Sequence, residues 1–288
     1  MGVSMGRSHI EFIQTQAVPW QADIYAGNRT GIESKTLSTD PDSGAASVVI
    51  RYPAGWLQQG AGYLNADEEL FVLEGSIEIN GRTYGEYGYA FLPAGYRRDT
   101  FSVSSGAVVL TFFEATPDFV SGTTPDGLYD QKRLVEFIDG LNQPYDNDFA
   151  RMGSEDVNQN GIALKLLRED PYDREQTWLL GALAFWPGGA VEIHPVVEEM
   201  YLLSGDIIGP HGSMKEGAYF WRPEGLRHGP FATAAPTLHL FRAKGGPLST
   251  EFYPPEEALG WEMPYKPILP KEFAYLADAD WAPEKTTR

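Results

Sequence analysis

The stretch "GGAVEIHPVVEEMYLLSG", residues 188–205, places one imidazole, His194, among the carboxylates Glu192, Glu198 and Glu199. Glu192 and His194 are two apart, so on a strand their side chains share a face, while Glu199 alternates away from Glu198 and is expected in solvent. The run around them is apolar, and an unpaired carboxylate in such surroundings is expensive. Either that face is open to water or a cation meets it. A second block, "AYFWRPEGLRHGPF" (218–231), adds Arg222 and His228, and the later run "TLHLFRA" adds His239.

The elements that must carry these residues read as short strands. Glycine (31) and proline (21) are frequent and aromatic residues make up 13%, a composition that suits many strands and turns better than a helical bundle. The runs "TWLLGALAFW", "EEMYLLSG", "GAYFWRP" and "TLHLFRA" are β-branched and aromatic segments between Gly/Pro turns.

The chain also repeats itself. "GIESKTLSTDPDS" (31–43) aligns with "GIALKLLREDPYD" (161–173), "EELFVLEGSI" (68–77) with "EEMYLLSGDI" (198–207), and "FLPAGYRR" (91–98) with "FWRPEGLRH" (220–228), all at an offset of 130. "LTFFEA" and "LHLFRA" follow at 128. One offset held through three blocks implies two copies of a module. The division is an arm at 1–30, a first module at 31–117, a linker at 118–160, a second module at 161–250 and a tail at 251–288. In the linker Leu134, Phe137, Ile138 and Leu141 fall at helical spacing, which predicts a short helix. The arm and tail are rich enough in aromatic residues to pack on a module or on a second subunit.

Both copies resemble the cupin family. The second-module pattern Gly217, five residues, Pro223-x-Gly225, two residues, His228 matches the second cupin motif. His194, three residues, Glu198, six residues and Gly205 match the first, except that its leading histidine is Glu192 here. The resemblance implies an all-β protein of two tandem jelly-roll-like barrels, a bicupin. It also implies one divalent metal per chain, on Glu192, His194, Glu198 and His228. Two imidazoles and a carboxylate with open positions suit Fe(II) and O2 chemistry, although Mn, Ni or Zn would also fit. Glu192 is either a ligand or a general base beside the ion. His239, Arg222 and Tyr201 flank the motifs and are the residues expected to meet substrate, the arginine by holding a carboxylate.

At the equivalent places the first module has Gly62, Leu64, Glu68 and Arg98. Only the carboxylate survives, so no metal is expected there, and Arg98 is expected to pair with Glu68 in place of the ion.

The reading that follows is a metal-dependent enzyme acting on a small molecule. An Fe(II) dioxygenase for an oxygenated or aromatic compound comes first. A non-redox lyase, isomerase or hydrolase comes second, and a metal- or metabolite-binding module third. A net charge of −18 disfavours nucleic acid as a partner. No apolar run is long enough to span a membrane. The start carries no signal-like apolar core, which makes the cytoplasm the expected compartment. Cysteine is absent, so thiolate chemistry is excluded. A homodimer is the expected assembly. No Ser-His-Asp order or phosphate-binding glycine loop is present.

Overall fold

The computed structural model describes residues 6–25, 29–145, 161–256 and 258–279. The chain is all-β and divides into two units, one of residues 18–143 and one that joins the residues up to 17 to those from 144 onward. No helix among the described residues is long and apolar enough to cross a membrane.

In the unit of residues 18–143 the large sheet runs Val135–Asp139, Gly88–Leu92, Glu68–Gly75, Ala107–Phe113, Ala46–Tyr52, Glu33–Thr39 and Gln21–Ala22. Period-two alternation builds its interior. Ala46, Val48, Ile50 and Tyr52 turn to one core, as do Leu70 and Val72. In the other unit the order is Ile10–Gln14, Ala218–Arg222, Val197–Ser204, Thr237–Lys244, Gln176–Ala182 and Ile162–Glu169. Leu164 and Trp178 pack in one apolar cluster, Met200, Leu202 and Phe220 in another.

Five strands lie in the same order in both units, and the sequence repeat matches four of them, the fifth being Ala46–Tyr52 in one and Gln176–Ala182 in the other. Local contacts repeat as well. Tyr89 Oη donates to Glu69 at 2.7 Å, and 130 positions later Tyr219 Oη donates to Glu199 at 2.6 Å. Gly75 and Gly205 both take positive φ, and a Cβ on either would come within 2.2 Å of a backbone carbonyl, of Gly106 and Pro236 respectively. Only glycine fits that turn.

Two expectations are corrected here. The segment Leu134–Leu141 is not a helix. After a single 3-10 turn at Gln131–Arg133 the chain forms the strand Val135–Asp139, which pairs antiparallel with Gly88–Leu92. Helical spacing in a short apolar run is weak evidence, and an unpaired sheet edge offers its backbone hydrogen bonds that a short isolated helix cannot match. The remainder of the linker, 146–160, lies outside the described residues.

Glu199 is not in solvent. It is 1% exposed and is held by Tyr219 and by Arg242 Nη1 at 2.6 Å. Alternation gave its face correctly, but that face is buried too. The arm packs on a module, as its aromatic content suggests, and does so as a strand. Ile10–Gln14 pairs with Ala218–Arg222 and completes the sheet that carries the second motif.

Candidate metal centre

Glu192 and His228 are brought together by backbone pairing. Glu192 N–H donates to the His228 carbonyl at 2.8 Å and His228 N–H returns the bond at 3.0 Å. Two residues along from Glu192, the His194 carbonyl accepts from Gly225 N–H at 2.8 Å. The Pro-x-Gly turn thus ties the two motif segments together at both ends. The imidazole rings lie 4.9 Å apart, centroid to centroid.

Each of these histidines is anchored through Nδ1. His194 Nδ1 lies 3.0 Å from the Ser249 carbonyl, and His228 Nδ1 lies 3.0 Å from the Leu226 carbonyl. A carbonyl can only accept, so each Nδ1 carries the proton and each Nε2 presents a lone pair. Those two Nε2 atoms are buried and have no hydrogen-bond partner. Glu192, His194 and His228 offer one ligand atom each, all within 4.8 Å of one another. Two orphaned imidazole lone pairs facing a carboxylate are what a divalent cation requires, and the site fits one.

Glu198 stands beside this trio. Its oxygens lie 3.7 Å from His194 Nε2 and 3.4 Å from His228 Nε2. Arg222 Nη1 donates to it at 2.8 Å. Burial raises Glu198, but positive charge on the two imidazoles when they are protonated, and on Arg222 throughout, outweighs burial and holds it below the usual carboxylate range. Glu192 behaves oppositely. Burial, reinforced by Glu198, pushes it up to about 8, a shift that water moderates because 23% of the side chain is still exposed. His228 is depressed to about 4, by burial first and Arg222 second.

Arg222 is not available to a substrate carboxylate as the sequence suggested. Its Nε and Nη2 hold Glu11 at 2.6 and 2.5 Å, and Nη1 is spent on Glu198. Glu11 was missed by sequence reading. It lies on the arm strand, 211 residues from Arg222, and no motif spacing could connect them. Its one local signal is a carboxylate within the apolar run "IEFI". Tyr201 does not meet substrate as the motif spacing suggests. It sits one position out of phase with Glu198 and Met200, on the face of Glu199, and does not line the cavity.

The cavity above the centre has a volume of about 120 Å³. Glu192, His194, Glu198, Arg222 and His239 line it, and the remaining wall is predominantly apolar, with Trp178, Phe220 and Phe241 prominent. His239 comes from the strand Thr237–Lys244 and is 4% exposed, with neither ring nitrogen bonded to protein. Burial lowers it to about 3, so it is neutral at ordinary pH.

This geometry defines an all-β protein with a candidate site for one metal ion. The chain belongs to the family described as a domain of unknown function (DUF4437), which matches residues 11–249. No curated protein sequence matches it. Its fold is similar to a protein from Nostoc punctiforme described as a candidate dioxygenase, at 20% identity and TM-score 0.75, over 87% of this chain and 92% of that one. It is also similar to oxalate decarboxylase from Bacillus subtilis. The structure of that enzyme at pH 4.6 matches at 13% identity and TM-score 0.51, over 88% of this chain and 79% of that one. Another structure of the same enzyme, described in connection with its Mn(II) centres, matches at 13% identity and TM-score 0.52, over 88% and 80% of the two chains. At these identities the likeness is one of fold.

Proposed function

We propose that the chain is a bicupin enzyme with one divalent metal. The second module would hold the ion and the first would be a barrel without one. The enzyme would act as an Fe(II) dioxygenase on a small, uncharged oxygenated or aromatic compound. The observation that carries the reading is the pair of buried Nε2 lone pairs of His194 and His228, unpartnered and facing Glu192. The common strand order of the two units supports the bicupin arrangement. The dioxygenase description of the Nostoc neighbour supports the choice of reaction.

His194, His228 and Glu192 would hold the ion, with Glu198 beside them and kept in place by Arg222. When bound, Fe(II) would supply Lewis acidity and one-electron chemistry toward O2. The aromatic wall excludes water and stacks a ring. His239, neutral and unpartnered, gives the substrate one hydrogen bond. Among the described residues that line the cavity Arg222 is the one cation, and Glu11 and Glu198 already neutralise it. An anionic substrate would find no counter-charge in the wall, which favours a neutral one. A cavity of about 150 Å³ accepts benzene, so the volume here suits a single ring or less.

A non-redox reading rests on Glu192. A carboxyl raised to about 8 at the cavity mouth is suited to moving a proton in a lyase, isomerase or hydrolase. Oxygen uptake separates the two. Untagged protein loaded anaerobically with Fe(II) and given catechol-type compounds should consume O2 under the first reading. Turnover of a carbonyl substrate with Zn(II), and no oxygen uptake with Fe(II), would replace the first by the second. Protein purified without a tag that holds no metal would remove both.

A further inference from the structure

In the unit of residues 18–143 the place equivalent to the metal centre carries charge of the opposite sign. Two guanidinium groups, Arg29 and Arg98, converge on the single carboxylate of Glu68, and all three side chains are at most 2% exposed. Arg29 Nη2 donates to Glu68 Oε1 at 2.7 Å, and Arg98 Nη2 reaches Oε2. Beyond this hydrogen bond and this ion pair, Arg29 Nη1, Arg98 Nε and Nη1 and Glu68 Oε2 are buried with no hydrogen-bond partner, so three guanidinium nitrogens remain unsatisfied. Among the described residues the polar neighbours are two tyrosines, Tyr52, which bonds Arg29, and Tyr84, which lies near Arg98; burial raises the Tyr52 hydroxyl to about 12 and raises that of Tyr84 as well, so neither carries charge.

The count is therefore two positive charges against one negative. Arginine does not discharge by losing its proton. Water could satisfy the free N–H groups but would not neutralise the excess charge, and an unpaired buried charge is among the costliest features a core can carry. At the metal centre the count runs the other way. Glu11, Glu198 and ionised Glu192 against Arg222 leave two negative charges, which a divalent cation cancels. The single substitution of histidine by arginine between His228 and Arg98 contributes to that reversal of sign.

We infer that Arg29 and Arg98 together bind a small monovalent anion inside this unit, of halide or formate size. The size follows from the surroundings. Tyr52, Trp56, Tyr84 and Phe101 are all buried in the core that fills this interior, and the Arg29 guanidinium carbon lies 5.8 Å from the Phe101 ring and 5.5 Å from that of Phe113. The inference does not depend on the metal centre or on any activity.

The test uses the full chain. Crystals grown in bromide and measured at the bromine edge should show an anomalous peak within hydrogen-bonding reach of Arg29 Nη1 and Arg98 Nη1. In solution, bromide or formate should raise Tm by about 4 °C over gluconate at equal ionic strength. Arg98→Met leaves the neutral Arg29–Glu68 pair, so it should abolish that rise while unfolding stays cooperative. An Arg98-dependent rise with either anion supports the site. Ordered water at the arginines with no anomalous peak would overturn it, as would a Tm response equal in Arg98→Met and the unaltered protein. Should Arg98→Met fail to fold, the anomalous map decides alone.

Discussion

Glu192 and His228 lie directly opposite one another, exchanging backbone hydrogen bonds at 2.8 and 3.0 Å, and the same exchange joins Gly62 and Arg98 at 3.1 and 2.7 Å. One backbone device thus presents two different chemistries. Where it holds a carboxylate and an imidazole it builds the candidate cation site. Where it holds a glycine and a guanidinium it leaves Arg98 to turn on Glu68.

His228→Ala should lower metal affinity by at least about 100-fold, since even residues one step removed from a metal typically cost 10- to 100-fold. The backbone pairing with Glu192 does not use the side chain, so the fold should persist. Elemental analysis alongside circular dichroism checks this. Full metal content in the variant would show that the trio is not the site.

Glu192 gives a pH prediction. Its pKa in the folded, metal-free chain is about 8, above its ordinary 4.5, so the folded state keeps the proton longer than the unfolded chain does. The associated stability is complete below pH 4.5 and is lost as pH rises through about 8. Binding a cation at pH 7 must displace that proton. Calorimetry in buffers of different ionisation enthalpy should read about one proton released per ion, and none for Glu192→Gln. Equal release from both proteins would mean that Glu192 does not contact the ion.

His239 has the opposite sign. Burial lowers it from 6.5 to about 3, so its contribution is complete above pH 6.5 and disappears as pH falls through about 3. The full swing is on the order of 5 kcal/mol. His239→Phe should shift the acid-unfolding midpoint to lower pH. An unchanged midpoint would indicate that this histidine is solvated in the folded state.

The Glu68 cluster calls for a double-mutant cycle by urea unfolding in gluconate. Glu68→Gln leaves two buried guanidinium groups facing each other without a carboxylate and should cost about 3–5 kcal/mol. Adding Arg98→Met removes one of those charges and should recover much of the loss. Additive losses would mean that Glu68 and Arg98 do not interact.

Much of the site was legible because its residues are local or periodic. Glu192, His194 and Glu198 fall within seven positions, and the offset of 130 places Arg98 over His228 and Glu68 over Glu198. Side-chain alternation then assigns faces. It separates Glu198 from Glu199 without any coordinates, although it cannot say that the second face is also covered.

By itself the sequence determined the β texture, the repeat at an offset of 130, the candidate donors Glu192, His194 and His228 and the absence of imidazoles at the matching positions of the first block. These depend on residue types and on spacings along a single chain. The tertiary structure alone decided what depends on distant segments meeting. The arm strand delivers Glu11 to Arg222 and so converts an apparent substrate clamp into a neutralised support for Glu198. An open strand edge draws Val135–Asp139 into the sheet against its helical spacing. Arg29, which no motif singles out, reaches Glu68 and leaves that interior with an excess positive charge. Each outcome is set by which backbone edge or buried charge is left unsatisfied once the strands have packed, and that balance is a property of the whole fold.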